Sequence, residues 1–302
     1  MSEHKLTQPL AIPQTRRRVV NNSPWARSWR RFRRHRLAMA GLLIIVVLVI
    51  AAFLGSEEAA LTANLRARNL PPSLEYPFGT DRTGRDVLAR TLVGGRVSLS
   101  VGFVAVFFSL VIGTLVGAIA GYYQGIVDTI VMRIVDIVMC FPLIVLLLSM
   151  VALLGPGIYK IMLIIGLLTW PTPCRIVRGQ FLSLRQKEFV EAARCIGMTD
   201  WQVAWRHILP NSLAPLLVYA SLGVATAVLL EAGLSYLGLG VQPPTPSWGN
   251  MLNTARSITT MEQTPWQWVP PGIFTVLFVL AVNFVGDGIR DAVDPRALDQ
   301  KQ

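Results

Sequence analysis

The residues best able to do chemistry sit in one polar stretch, 188–211, which reads EFVEAARCIGMTDWQVAWRHILPN. Its acids (Glu188, Glu191, Asp200), its Arg194 and its His207 fall into no nucleophile–base or metal-ligand spacing. They suit recognition instead. Glu188 and Glu191 open a helix, where carboxylates complement the N-terminal dipole. Ala192 and Ala193 favour that helix and are small enough for close seating. Gly197 follows where the chain must turn left-handed, a conformation that costs any other residue roughly 1 kcal/mol. Thr199 or Asp200 then caps a second short helix, which Leu209–Pro210 ends because proline lacks the next amide donor. A helix–glycine–helix hairpin between apolar runs is a docking element. Trp201 and Trp205, four apart on its second helix, face either the membrane interface or the partner.

Ionisable residues elsewhere are sparse. Arg133 and Asp136 stand three apart inside an apolar run and are expected to pair near the membrane edge, with a place in a substrate pathway as the second reading. Glu231 reads first as packed at a helix end and second as a pathway residue. Asp81, Gly84, Arg85 and Asp86 read as a capped, salt-bridged surface segment, or alternatively as a lid or a seat for another protein. Pro243, Pro244 and Pro246 with Trp248 stiffen a further loop. Cys140, Cys174 and Cys195 are odd in number and far apart, so free, packed thiols are expected and no disulfide framework. No GxxxxGK[ST] phosphate loop occurs, so the chain does not bind ATP in that way.

Positioning these residues falls to long apolar helices. Of 302 residues, 53% are hydrophobic and only 15% charged, and the mean hydropathy is +0.51, which defines an integral membrane protein. The net charge of +11 does not point to nucleic acid, because ten of the 28 Lys and Arg precede the first apolar run. Anionic lipid headgroups of the bilayer are their natural partner. Residues 1–36 form a tail in which Trp25, Trp29 and Phe32 make an aromatic stripe opposite arginines, suited to lying along the headgroups. Six spans follow, at 37–54, 97–121, 128–154, 158–170 (extending toward Arg175), 213–230 and 269–285, and a polar tail closes the chain at 286–302. In the second span Gly113, Gly117 and Gly121 recur every four residues and admit a close neighbour. With both termini inside, nineteen Lys and Arg lie inside and eight outside, which also places the 175–211 loop in the cytoplasm.

EAARCIG followed by HILP resembles the cytoplasmic EAA loop of the inner-membrane permease subunits of ABC importers; the matching positions are Glu191, Ala192, Ala193, Gly197, Leu209 and Pro210. The general pattern has an aliphatic residue where this chain has His207, a departure usual in the dipeptide/oligopeptide branch, whose loops resemble RHILPN. FGTDRTGRDVLAR (78–90), YLGLGVQPPTPSWGNML (236–252) and GDGIRDAVDPR (286–296) are similar to the C-type permease of peptide, nickel and glutathione importers.

That resemblance implies an all-α, six-span type I ABC importer permease fold with a cytoplasmic coupling-helix loop, and a permease rather than an enzyme. It implies passage of short peptides, with nickel or glutathione as the alternative cargo of the same machinery, and no cofactor on this chain. The implied partners are a homologous B-type permease, two cytoplasmic ATPases that bind ATP and Mg, and an extracytoplasmic substrate-binding protein. It assigns ATPase coupling to Glu188, Glu191, Ala192, Ala193, Arg194, Gly197, Asp200, Leu209 and Pro210. The bacterial inner membrane is the implied location. The reading from another class, a stand-alone channel or proton-coupled carrier, would need acidic or histidine relays within the spans, which these runs lack.

Overall fold

The computed structural model describes residues 24–293, with side chains from Ser28 onward; 1–23 and 294–302 of the two tails lie outside the described residues, as does the Trp25 side chain. Among the described residues the chain is helical, without a strand. Helix α1 (Pro24–Arg34) places Phe32 in a buried seat against Ala38 and Gly288, while its stacking partner Trp29 stays exposed. The aromatic stripe is therefore split between docking inward and facing out.

Helix α2 (Arg36–Leu54) is capped by His35, whose Nδ1 accepts the Ala38 amide at 3.0 Å. A short helix, α3 (Glu57–Leu61), leads to a segment knotted by Asp81, whose carboxylate accepts from the Thr83 amide and hydroxyl and from the Arg85 amide. Asp86 then caps α4 (Val87–Tyr123) through the Leu88 amide at 2.9 Å, and partial burial pushes its carboxyl above the usual range. The capped, ion-paired reading of 81–86 is the one realised, with Arg90 3.5 Å from Asp81.

At 37 residues, or about 55 Å, α4 is far longer than the apolar run 97–121. Its added turns carry Arg90 and Arg96, which end the run but not the helix. Arg96 donates to the carbonyls of Ala52, Phe53 and Gly55, capping the C-terminal end of α2, and pairs with Glu57.

The third expected span, 128–154, is not one straight helix. It is α5 (Gly125–Cys140) and α6 (Leu143–Leu154), bent 86° at Phe141–Pro142. Phe141 is extended because the residue before a proline is pushed out of the helical region. The fourth span is α7 (Ile158–Thr169) continued by α8 (Pro171–Leu184), 27 residues in all, with Pro171 tolerated in the first turn of α8.

The docking hairpin comprises α9 (Glu188–Cys195) and α10 (Asp200–Val203), but Leu209–Pro210 does not end its second helix. A five-residue π turn, Ala204–Ile208, runs directly into α11 (Leu209–Tyr236). The Leu209 amide reaches back to Ala204, and this wider turn accommodates the missing Pro210 donor in the next helix's opening turn. Asp200–Tyr236 is thus a single rod of 37 residues. Helices α12 (Trp248–Leu252) and α13 (Ile258–Gln263) belong to the return segment before α14 (Val269–Val293), which outruns its apolar stretch because Gly288 and Ala292 pack on α1 and α2.

Among the described residues five helices are long and apolar enough to cross a membrane, and six spans result if the bent pair counts as one. Helix α4 is the axis of the bundle, touching α2, α7, α8 and α11. The glycine stripe acts as expected. A Cβ on Gly113 would lie 2.6 Å from the Pro173 ring, and one on Gly121 2.7 Å from Phe181, so α8 can cross here only against glycine.

Candidate coupling site

Helix α9 closes on a Schellman turn. The Gly197 amide donates to Arg194 at 2.9 Å, the Met198 amide to Ala193 at 3.2 Å, and Gly197 has φ +84°. Thr199 and Gln202 then form a capping box at the start of α10. Beneath the hairpin, Val190, Ala193, Val203 and Ile208 bury against Val177, Phe181 and Tyr122 of α8 and α4. The two alanines therefore differ. Ala193 faces this chain's own core, so its small size serves internal packing and not a partner, whereas Ala192 is exposed.

Tyr122, at the end of α4, ties the hairpin to the bundle. Its hydroxyl donates to Asp200 at 2.5 Å and accepts from Arg194 at 3.3 Å, while its carbonyl accepts from Arg185 at 2.6 Å. The guanidiniums of Arg185 and Arg194 also lie 5.6 and 5.8 Å from its ring centroid. The bond to Tyr122 raises the pKa of Arg194 above its ordinary value. Sequence reasoning missed Tyr122; its only signal was an aromatic placed just after the glycine stripe.

Outward, the hairpin presents Phe189, Ile196 and Trp201, with Ile196 79% exposed and Trp201 67%. Glu188, Glu191, Arg194 and Asp200 of the same hairpin are exposed as well, and Trp201 and Asp200 line a cleft with Leu115, Ile119 and Tyr123 of α4. Sequence reasoning also missed Phe189 and Ile196. Exposed apolar side chains among charged ones are what a protein-binding surface offers. Trp201 and Trp205 are in ring contact, centroids 4.9 Å apart, and Trp205 lies over the cleft between α4 and α11 with Leu115 and Leu213. Leu209 packs inward and Pro210 is exposed at the start of α11.

The candidate pathway residues separate. Asp136 does not pair with Arg133 three residues earlier; it accepts from Arg175 of α8, while Arg178 forks onto Asp128. Arg preceding Asp is the unfavourable order along a helix, and α8 brings better-placed guanidiniums. Glu231 is fully buried, accepting from three serine hydroxyls. A cavity of about 440 Å³ opens beside the break between α5 and α6, lined by Phe141, Leu143, Thr169, Tyr219, Gly223 and Thr226 among others. Arg133, Asp136 and Glu231 are all absent from its walls. Of the cysteines only Cys174 is packed; Cys140 and Cys195 are exposed, contrary to expectation.

A helical bundle with enough apolar length for five or six spans, a cavity at a broken span and an exposed hairpin defines a multi-pass membrane protein. Residues 113–299 match the binding-protein-dependent transport system inner membrane component family, and residues 23–72 the N-terminal TM domain of oligopeptide transport permease C. The chain belongs to this family and is a permease subunit of an ABC importer, not an enzyme. A Brucella suis biovar 1 protein provisionally named a peptide permease is 48% identical over 92% of this chain and 93% of its own length. The dipeptide transport system permease protein DppC of Alkalihalophilus pseudofirmus is 43% identical over 91% of this chain and 90% of its own. The glutathione transport system permease protein GsiD of Escherichia coli O6:K15:H31 is 43% identical over 91% of each chain. Among solved structures, an inward-facing MetNI methionine ABC transporter chain shares the fold with a TM-score of 0.55 at 24% identity, over 68% of this chain and 96% of that one.

Proposed function

We propose that this chain is the C-type permease subunit of an ATP-driven importer of short peptides, forming the translocation pathway with a homologous B-type permease. Two cytoplasmic ATPases carrying ATP and Mg drive the permease pair, the α9–α10 hairpin of this chain being the seat for ATPase docking, and an extracytoplasmic binding protein delivers cargo at the far end. The chain lies in the bacterial inner membrane with both termini in the cytoplasm, as the bias of Lys and Arg supports.

The observation that carries this reading is the exposure of apolar Phe189 and Ile196 on a hairpin joined directly to α8 and α11. Glu188, Glu191, Ala192, Arg194 and Asp200 supply its outward face, and Gly197 sets the turn between its helices. Ala193, Leu209 and Pro210 support it from within this chain. Closure of the ATPase pair then moves the hairpin, and with it the two spans that leave from either side.

Peptide cargo rests on the relatives named for peptides and dipeptides. Glutathione, itself a tripeptide, is the second reading, favoured by the relative named for it. The test is the complete transporter reconstituted in vesicles with its binding protein. Uptake of a labelled dipeptide that requires ATP is the expected result. Uptake of glutathione alone selects the second reading, and uptake by this chain without ATP or partners would overturn both in favour of a channel or carrier.

A further inference from the structure

Glu231 sits in α11 about 46 Å along the rod from Asp200, so the two lie toward opposite ends of a length exceeding the hydrocarbon thickness. Its carboxylate is wholly buried, an arrangement that is costly unless both oxygens are hydrogen-bonded. Three hydroxyls bond them. Ser98 of α4 donates to Oε2 at 3.0 Å, and Ser235 of α11 and Ser247 at the cap of α12 donate to Oε1 at 2.7 and 2.9 Å.

Each serine has one proton to give, and each is in turn an acceptor for a backbone amide: Ser98 for Trp248, Ser235 for Val241, Ser247 for Asn250, all at 3.1 Å. The polarity therefore runs one way, from loop amide through hydroxyl to carboxylate, and the centre of the network only accepts. Gly249 fits the same node closely, since a Cβ there would meet Ala232 and Ser235 at 2.7 Å. Trp248 extends the joint, donating from its indole to the Thr91 carbonyl at 2.9 Å and lying in ring contact with Phe274 and Phe278 of α14.

The same two rods are joined again at the coupling end, where Tyr122 of α4 holds Asp200, and between the ends, where the Ser109 and Tyr219 hydroxyls meet at 3.1 Å. A pair of rods fixed at both ends and in the middle moves as one body. A packed apolar residue at 231 could have served stability alone, since buried ionisable groups are seldom the most stabilising choice. A carboxylate that gathers α4, α11 and the 237–252 loop specifies which parts stay together.

We propose that Glu231 is a positioning residue for transport, fastening α4, α11 and the α11–α12 loop into one unit so that displacement begun at the coupling hairpin reaches the opposite membrane face. This rests on the reading of the chain as an ATP-coupled permease. The inference concerns how motion is carried, not which cargo is carried.

The test uses the intact transporter in lipid nanodiscs or vesicles, with Glu231→Ala, Glu231→Gln, Ser98→Ala and Ser247→Ala, and three readouts. These are ATP hydrolysis, labelled dipeptide uptake, and deuterium exchange across 237–252 with and without ATP and vanadate. Glu231→Ala is expected to keep basal hydrolysis, lower uptake per ATP about tenfold, and abolish the nucleotide-dependent change in exchange at 237–252. Glu231→Gln, which keeps an acceptor oxygen, should restore part of the uptake. The single serine variants should fall between. If Glu231→Ala fails to assemble, the serine variants decide: wild-type uptake per ATP and a wild-type exchange response in both would overturn the proposal. So would an unaltered exchange response in an assembled Glu231→Ala transporter. Dipeptide uptake by the wild-type complex that is the same with and without ATP would instead defeat the ATP-coupled reading on which the proposal rests.

Discussion

The two ends of the α4–α11 pair are held by joints of opposite construction. At the coupling end, Tyr122 links Arg185, Arg194 and Asp200 through polar contacts that are only part-buried, on a hairpin that exposes Phe189, Ile196 and Trp201. At the far end, Glu231, Ser98, Ser247 and Trp248 are sealed from solvent and satisfy one another. The first joint leaves apolar side chains and charged groups exposed beside it. The second leaves nothing over. An element that must engage and release a partner needs surplus exposed surface, whereas one that must only transmit motion gains from having none.

The contrast can be broken by substitution, beginning at the coupling end. Gly197→Val is expected to reduce ATP-coupled uptake to background while insertion into the membrane is retained. No atom lies within 4 Å of the position of an added Cβ, so the strain is conformational, about 1–2 kcal/mol, enough to re-aim α10 and not to unfold the bundle. Normal ATP-coupled uptake by this variant would remove the hairpin from the mechanism.

Trp248→Ala, at the far end, should act in the reverse way. Emptying its site costs about 3–5 kcal/mol, seen as a lowered midpoint in thermal unfolding of the detergent-solubilised complex, while binding of the ATPase subunits to the coupling end is unchanged. Tyr122→Phe is milder: loss of one hydroxyl and its bonds to Asp200 and Arg194 costs about 1 kcal/mol, with the ring contacts kept. Faster amide exchange at 188–203 in the absence of nucleotide is the expected signature, and unaltered exchange there would remove Tyr122 from the coupling joint. Asp136→Asn should change stability by less than about 1 kcal/mol and leave uptake near wild type, since its pair with Arg175 is half exposed. A large fall in uptake would return Asp136 to the pathway.

Much of the architecture was legible beforehand because membrane helices obey simple constraints. The apolar runs located every span, the glycine stripe marked where α8 crosses α4, and Gly197 announced a left-handed turn that the structure contains. The failures share a cause. Helix ends were drawn where hydrophobicity stopped, but α4 continues through Arg90 and Arg96 because those side chains find carbonyls and carboxylates on α2, α3 and the 62–86 segment. Pro210 looked like a terminator because one missing amide ends an ordinary helix, and a π turn absorbed it. Pro142 received no such accommodation, and there the span broke.

By itself the sequence determined the class of molecule: composition, charge-free run lengths and the asymmetry of Lys and Arg depend on the chain meeting lipid and water, not on how its helices meet each other. It also determined the local turn at Gly197, where backbone sterics act on one residue. Only the tertiary structure decided which polar groups are partners. Asp136 chose Arg175 over Arg133, Ala193 turned inward while Ala192 faced out, and Glu231 became the centre of a buried joint with residues 133 positions before it and 16 after. Such choices depend on distances between helices far apart in the chain, and those distances are set by how the helices pack, which no local pattern encodes.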